Sequence, residues 1–444
     1  MLIGEFLYSI DWLPVVIAGA IFVTCYAFII SEKINRAIVA ICGAVLLVML
    51  GIVDLHVAYT QHIHWATIFL LLGMMILVAI ATKSGIIQYA AIKAAQSAKG
   101  DPFKILVRLA VLTAVGSAFI DNVTMVLLIA PITIAIARTM NVSPIPYLIT
   151  QILICNIGGA ATLVGDPPNI MIGTAAGISF NDFLIHLTPI IVILMVLTIF
   201  IAKRYFAKSL YIEKEDQARL MEIVARDAIR DSKLAKKSIF VFALTLLGFF
   251  THQYLHIEPA TIALFGAALL MLLSAKDIGT EEVFHGVEWI TIFFFAGLFV
   301  LVGGLVDVGI IPQLATWMLE ATGGDVGLTA MILLWGAGIA SGFVDNIPLV
   351  ATMIPMVQDM IIQLDLSYVD SKTLWWALAL GACLGGNGTL IASSANLIVA
   401  QIAAREGTPI SFISFLKISV PVTLITLAIA SVYVYIFFVT LGLS

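Results

Sequence analysis

The sequence predicts an all-α polytopic membrane protein: an inverted repeat with two re-entrant hairpins, two broken helices and about ten full spans. Three observations lead there. Hydrophobic residues make up 61% of the 444 and charged residues only 11%, with a mean hydropathy of +1.11; a soluble domain carries about a quarter charged residues. Apolar runs near the ~20 residues that cross a bilayer recur along the whole chain, longer than the ~10-residue alternating strands of a barrel. The chain also repeats itself. WATIFLLLGMMILV (65–78), SGII (84–87) and AFIDNVTMVLLIAPI (118–132) return as WITIFFFAGLFVLV (289–302), VGII (308–311) and GFVDNIPLVATMIPM (342–356). Trp65/Trp289, Gly73/Gly297, Gly85/Gly309, Phe119/Phe343, Asp121/Asp345, Asn122/Asn346 and Pro131/Pro355 share one offset of 224 positions. With small slips, Gly158–Gly159 then pairs with Gly385–Gly386, Thr162 with Thr389, Asn169 with Asn396 and ISFNDF with ISFISF.

Taken in order, the first copy (1–203) places spans near 12–31, 36–53 and 65–82, a hairpin at 104–140, a broken span at 144–177 and a span at 183–203. The second copy (238–444) repeats them at 238–255, 259–275, 289–306, 328–363, 373–404 and 411–441. If each hairpin returns to its own side, each copy crosses five times and the two are opposed. With both termini outside, 21 of the 22 Lys and Arg residues fall inside and only Lys372 outside, the bias expected of an inner-membrane protein. The start, MLIGEFLYSID, has no basic n-region and no evident cleavage site, so no removable signal peptide is expected.

The link between copies (204–237) is expected to be cytoplasmic. RLMEIVARDAIRD, with Leu220, Ile223, Val224 and Ile229 at roughly helical spacing, suggests a surface helix there. GIIQYAAIKAAQSAK (85–99) suggests a second. Both read first as connectors.

The broken spans carry the unusual chemistry. GDPPN (165–169) puts an Asp, two donor-less prolines and an Asn inside an apolar stretch, which lipid tolerates only where the backbone is buried in protein or lines a wet cavity. Its partner GGNGTLIASSAN (385–396) has Ser393, Ser394 and Ala395 for DPP, and so is expected to break more gently; it offers Asn387, Thr389, Ser393 and Ser394 as neutral hydrogen-bonding groups. Asp121 and Asp345 sit mid-hairpin, each followed by Asn. A carboxylate there costs several kcal/mol unless paired, hydrated or protonated, which makes both proton-coupling candidates; the plain alternative is that they cap short helices. Asp166, Asn122, Asn346, Thr162, Asn169 and Asn396 complete the expected substrate and ion site. No Lys or Arg falls in this expected core, so three acids without a countercharge disfavour an organic dianion and suit a cation or a neutral polyhydroxylated solute.

Several classes are set aside. Cys25, Cys42, Cys155 and Cys383 lie in apolar segments without CxxC spacing, so neither a disulfide framework nor a metal site is expected, and Cys155 and Cys383 read as small buried residues. His56, His62 and His64 read as an outer loop with pH sensing open to it. There is no P-loop, no nucleic-acid footprint, no cofactor motif and no nucleophile triad, so enzyme chemistry has little support. Opposed repeats with discontinuous helices are instead the architecture of secondary transporters.

FIDNVTMVLLIAPI followed by NIGGAATLVGDPPNIMIG resembles the ArsB/NhaD-type ion transporters, most closely their P-protein branch, within the superfamily that also holds the divalent-anion/sodium symporters. The resemblance spans essentially the whole chain. It implies two re-entrant hairpins, two broken helices, elevator-like motion and a homodimer. The dianion symporters carry Ser-Asn-Thr at the hairpin tips; here the tips read Asp121-Asn122-Val123 and Asp345-Asn346-Ile347, which moves the expectation toward the efflux members. The expected function is therefore proton-coupled efflux of arsenite or antimonite. The alternatives are a sodium/proton antiporter, and a channel or a carrier subunit driven by an ATPase partner.

Overall fold

In the computed structural model of the chain, residues 12–443 are described except 32, 211–219 and 222–223. The first half contributes α1 (Leu13–Ser31), α2 (Arg36–Met49), α3 (Trp65–Lys83), α4 (Ile86–Ser97), α5 (Pro102–Ser117), α6 (Asn122–Thr139), α7 (Ile145–Gly159), α8 (Pro167–Ala176) and α9 (Phe180–Tyr205). The second contributes α10 (Ser232–Leu255), α11 (Pro259–Ser274), α12 (Trp289–Asp307), α13 (Ile310–Thr322), α14 (Val326–Ser341), α15 (Asn346–Gln363), α16 (Tyr368–Gly385), α17 (Ser394–Arg405) and α18 (Phe412–Tyr433). No strand occurs among the described residues. The offset of 224 carries α3 onto α12, α5 onto α14 and α6 onto α15 with both ends matching.

Packing is exchanged between the halves as a two-fold relation requires. α2 packs on α12 while its counterpart α11 packs on α3, and α6 packs on α17 while α15 packs on α8. Glycine makes the closest of these approaches. A Cβ on Gly73 would lie 2.6 Å from the Ala263 carbonyl carbon, and one on Gly297 2.7 Å from that of Ala40. The equivalent helices α3 and α12 run antiparallel: Lys83, which ends α3, pairs with Glu282 just before α12, and Asp307, which ends α12, pairs with His62 just before α3. Gly85 and Gly309, at φ 79° and 81°, make the same left-handed entry into α4 and α13.

By length and composition seven helices can cross a membrane among the described residues, or eight when the pair α13–α14, bent by 120°, counts as one. Six of these are expected spans; the seventh is the hairpin arm α6. Four of the ten expected crossings lack a helix that is both long and apolar enough. α2, at 14 residues, reaches only ~21 Å against a ~30 Å hydrocarbon core; α11 is similarly short, and the other two are the broken pairs.

Two local expectations have different outcomes. The expected linker helix lies partly outside the described residues, and over 224–231 the chain makes only a 3₁₀ turn, Ala225–Ala228. The reason is docking: Arg230 N donates to Ser84 O at 3.0 Å and Ala228 O lies against Gly85, so this stretch is held on the α3–α4 corner. The segment at 85–99 does form a helix, α4, with Ala91 and Ala95 buried, and it packs on both hairpin arms α5 and α6.

Candidate functional site

The two breaks are equivalent in form. α7 ends at Gly159 and α8 starts at Pro167; α16 ends at Gly385 and α17 starts at Ser394. Asp166 (φ −138°, ψ 135°) and Ser393 (φ −146°, ψ 137°) occupy the same extended position before the second helix. The Ser/Ala segment thus does not break more gently than GDPPN. Backbone geometry is set by the glycines and the capping pattern common to both, and the prolines only remove donors already unsatisfied at a helix start.

Each break is pinned by its own asparagine. Asn169 Nδ2 donates to Thr162 O (2.9 Å) and Gly159 O (3.3 Å); Asn396 Nδ2 donates to Thr389 O (2.9 Å) and Gly386 O (2.7 Å). Both side chains are fully buried. They satisfy carbonyls that lipid cannot. Thr162 Oγ1 donates to Ala118 O, tying the first break to the first hairpin, whereas Thr389 Oγ1 is buried with no partner among the described residues.

The hairpin tips meet the breaks. Asn346 Nδ2 donates to Asp166 Oδ2 at 3.2 Å, joining the second hairpin to the first break. Ser394 Oγ donates to Asp345 Oδ2 at 2.6 Å. Both tip aspartates are N-caps: Asp121 accepts from Thr124 N at 2.9 Å and Asp345 from Ile347 N at 3.1 Å. Capping and a charged role therefore coincide at Asp345, while Asp121 forms no ion pair among the described residues.

Asn156 is the centre of the network, and the motifs do not single it out. Its Nδ2 reaches Asn387 Oδ1 and Asn396 Oδ1, each at 2.9 Å, and its Oδ1 accepts from Ser393 Oγ (3.3 Å) and Asn122 Nδ2 (3.4 Å). Ser117 Oγ donates to Asn122 Oδ1 and to Cys155 O. The position equivalent to Asn156 is Cys383, whose Sγ lies 3.6 Å from Asn169 Oδ1. A search for residues repeated in both copies passes over Asn156; a lone amide two residues before a Gly-Gly break is the signal available. The structure thus gathers Asn122, Asn387, Ser393 and Asn396 on Asn156, Asn346 on Asp166, and Ser394 on Asp345.

A second correction concerns charge. Arg36 reaches the core: its Nη1 lies 3.1 Å from Asp345 Oδ2 and 2.7 Å from Ser394 Oγ, and its guanidinium stacks 4.9 Å from the Phe294 ring centroid. Arg36 is the first residue of α2, and that end of the helix touches the second hairpin. One of the three acids, Asp345, therefore does have a countercharge, and the case against an anionic cargo falls. The centre itself is filled by side-chain hydrogen bonds. Open space lies beside it, in a cleft of about 280 Å³ against Arg36, Asp345 and Ser394, and another of about 430 Å³ against Arg36, Glu288 and Thr291.

A buried polar centre where two broken helices and two hairpins meet, inside an antiparallel repeat of apolar helices, defines a multi-pass membrane transporter. The chain belongs to the CitMHS citrate transporter family, whose model matches residues 26–381. It is 42% identical over 423 residues to an uncharacterized transporter of Mycobacterium tuberculosis, covering 95% of this chain and 98% of that one. It is 31% identical over 514 residues to the human P protein, covering 96% of this chain and 60% of the P protein. Among solved structures, MtrF of Neisseria gonorrhoeae, described as an antimetabolite efflux pump, superposes with a TM-score of 0.60 at 12% identity over 99% of both chains. The YdaH transporter of Alcanivorax borkumensis gives 0.60 at 14% identity over 87% of this chain and 90% of that one. At these identities the likeness is one of fold.

Proposed function

We propose that the protein is a secondary active carrier in which a monovalent cation, a proton or a sodium ion, occupies the Asp166–Asn346 junction and drives exchange of a small solute. The observation that carries this reading is Asp166: 2% exposed, hydrogen-bonded to a neutral amide, and without a basic partner among the described residues, with Arg36 held by Asp345. A carboxylate so placed is several kcal/mol unfavourable when bare, so binding a cation there is strongly favoured. Asp166 also joins the two halves, so its neutralisation changes a contact between elements that an alternating-access cycle must move. Asp121 and Asp345 are assigned the coupling protons, and the amides on Asn156 hold the breaks in register.

For cargo, sodium/proton exchange follows most directly from this site. Arsenite or antimonite efflux is the second reading, favoured by the two buried thiols against the network, Cys155 beside Asn122 and Cys383 beside Asn169. The family's citrate description supplies a third cargo to test, since Arg36 would meet a carboxylate once Asp345 is neutralised.

Purified protein in liposomes, under an imposed pH gradient, is offered sodium, arsenite or citrate in parallel counterflow assays without ATP. Saturable exchange of one of them, coupled to the gradient and lost in D166N, is the expected result. Flux that ignores the gradient and persists in D166N, D121N and D345N would refute the coupling role; uncoupled conductance would indicate a channel, and a requirement for ATP and a second subunit a pump.

A further inference from the structure

The two ends of the α3–α12 pair differ in a way the repeat makes measurable. At one end Lys83 Nζ meets Glu282 Oε1 at 2.6 Å; at the other His62 Nε2 meets Asp307 Oδ2 at 2.9 Å. The helices are antiparallel and 19 residues long, so the two pairs lie ~28 Å apart. The shared offset aligns His62 with Gly286, Gly303 with Ala79, and Asp307 with Lys83. Gly286 packs against Ala79, where a Cβ would lie 2.7 Å from the alanine Cβ. In the counterpart contact the large group is the imidazole. The His62 ring lies over Gly303, where a Cβ would come within 2.2 Å of its Cγ. The same packing site has thus been refilled with a titratable ring that reaches one turn further to Asp307.

The ring lines a cavity of about 270 Å³ together with Gln61, His64, Asp307 and Gln358. From α12 the only charged group facing it is Asp307; α15 presents Gln358 and α8 presents Met171, neither titratable. His64, on the same connection as His62, stacks edge-on against Phe299 at 5.0 Å. Burial, and secondarily His62, lower its pKa.

We propose that the His62–Asp307 pair is a regulatory proton site: a clasp that closes this end of the carrier when protonated and loosens as pH rises, with no such control at the Lys83–Glu282 end. Imidazole is the side chain that changes charge between about pH 5 and 8, whereas ammonium and carboxylate groups keep theirs across that range. The protonated ring makes a partly buried ion pair, with side-chain exposures of 11% and 28%; the neutral ring keeps at most a hydrogen bond. The clasp ties the α2–α3 connection to the end of α12, and so sets access to the cavity.

The flux consequence rests on the transport reading; accessibility of the cavity does not, and serves as the primary test. Val306, which lines the cavity, is changed to cysteine in a C42A background. Labelling by an impermeant maleimide is then followed from pH 5.5 to 8 in the full-length protein, relative to the same reporter with H62K. The ratio is expected to rise about twofold to fivefold with pH. It should be flat in D307N, and H62K/K83H should move the dependence to a reporter at the opposite end. An unchanged ratio across pH, or one that still rises in D307N, overturns the proposal; H62Q, also expected flat, carries the test should H62K not fold. In liposomes, pH dependence of flux from one face only is the matching result. Labelling that responds to pH in a protein without flux would leave the clasp standing and sink the carrier reading.

Discussion

The two hairpin tips hold the same Asp-Asn pair at equivalent places, yet their surroundings are opposite. Asp345 is bracketed by Arg36 and Ser394, and its neighbour Asn346 binds the acid Asp166. Asp121 has no basic partner among the described residues, and its neighbour Asn122 binds the neutral amide Asn156. Four differences between the copies lie behind this: α2 starts with Arg36 where α11 starts with Pro259, and Asp166 stands for Ser393, Pro167 for Ser394 and Asn156 for Cys383. Duplication kept the frame of caps, breaks and pinning asparagines, while the chemistry inside it was redistributed. At one junction the tip amide meets an acid, Asp166; at the other it meets the neutral amide Asn156.

The largest effect should come from erasing that distinction. D166N makes the charged junction neutral like its counterpart while keeping the shape, and should reduce coupled flux about 100-fold, ~2.7 kcal/mol at the transition state. S393D, which adds the acid to the neutral junction, should not restore it, because Ser393 faces Asn156 rather than a tip asparagine alone. Restored coupling in the D166N/S393D protein would show that position in the repeat, not environment, sets the role.

Next is the countercharge. R36A leaves Asp345 half-buried with only Ser394 and its own helix cap, and D345N leaves the guanidinium with Ser394 and Phe294 but no carboxylate. Each should lower flux about tenfold, and the double variant should lose less than the product, with a coupling energy of ~1–3 kcal/mol. Strict additivity in a thermal-stability cycle would mean the contact carries no energy. R36K should recover only part of the loss, since an amine lacks the planar fork that also stacks on the ring.

The hub comes third. N156C gives the first half the residue found in the second. Asn387 and Asn396 then lose a donor in a dry site, and melting in detergent should fall by the equivalent of ~1–3 kcal/mol. The reverse change, C383N, should be milder, because an amide can still donate to Asn169 Oδ1, the contact that Cys383 Sγ makes.

Much of this frame was readable in the chain because duplication writes each structural requirement twice. Gly85/Gly309, Asn169/Asn396 and the tip Asp-Asn pairs could be matched by one offset, and each marks a turn, a pinned break or a cap. What could not be read is what occurs once. Arg36 looks like one more basic residue at a membrane edge, and only the tertiary packing of α2 sets it against Asp345. Asn156 has a cysteine as its counterpart and so leaves no repeat signal. Over 224–231, the described end of the expected linker helix, the chain turns for a different reason: periodicity cannot report that Ser84 O and Gly85 take up the backbone there instead.

The smallest effect sharpens the comparison away from the centre, at the start of each hairpin. Asp101 caps α5 by accepting from Lys104 N at 3.0 Å, and Asp325 caps α14 by accepting from Leu328 N at 2.6 Å. Residue three of the turn is a lysine in one copy and a leucine in the other, and Lys104 Nζ adds a contact of 3.3 Å to Asp101. Burial pushes the Asp101 carboxyl upward, but the hydrogen bonds from Lys104 and its charge outweigh this and hold the group below its ordinary value. A depressed carboxyl pKa stabilises the fold above the unfolded value, and that contribution is lost as pH falls through the folded one. D101N keeps a competent cap and removes only the charge, so it should cost a few tenths of a kcal/mol at neutral pH and nothing once the medium is acidic enough to protonate Asp101. D101A removes the cap as well and should cost about 1 kcal/mol at any pH. Melting temperatures of D101N and D101A at neutral and acid pH separate the two contributions; a D101N deficit that persists in acid would assign the whole effect to cap geometry, with the lysine contributing nothing.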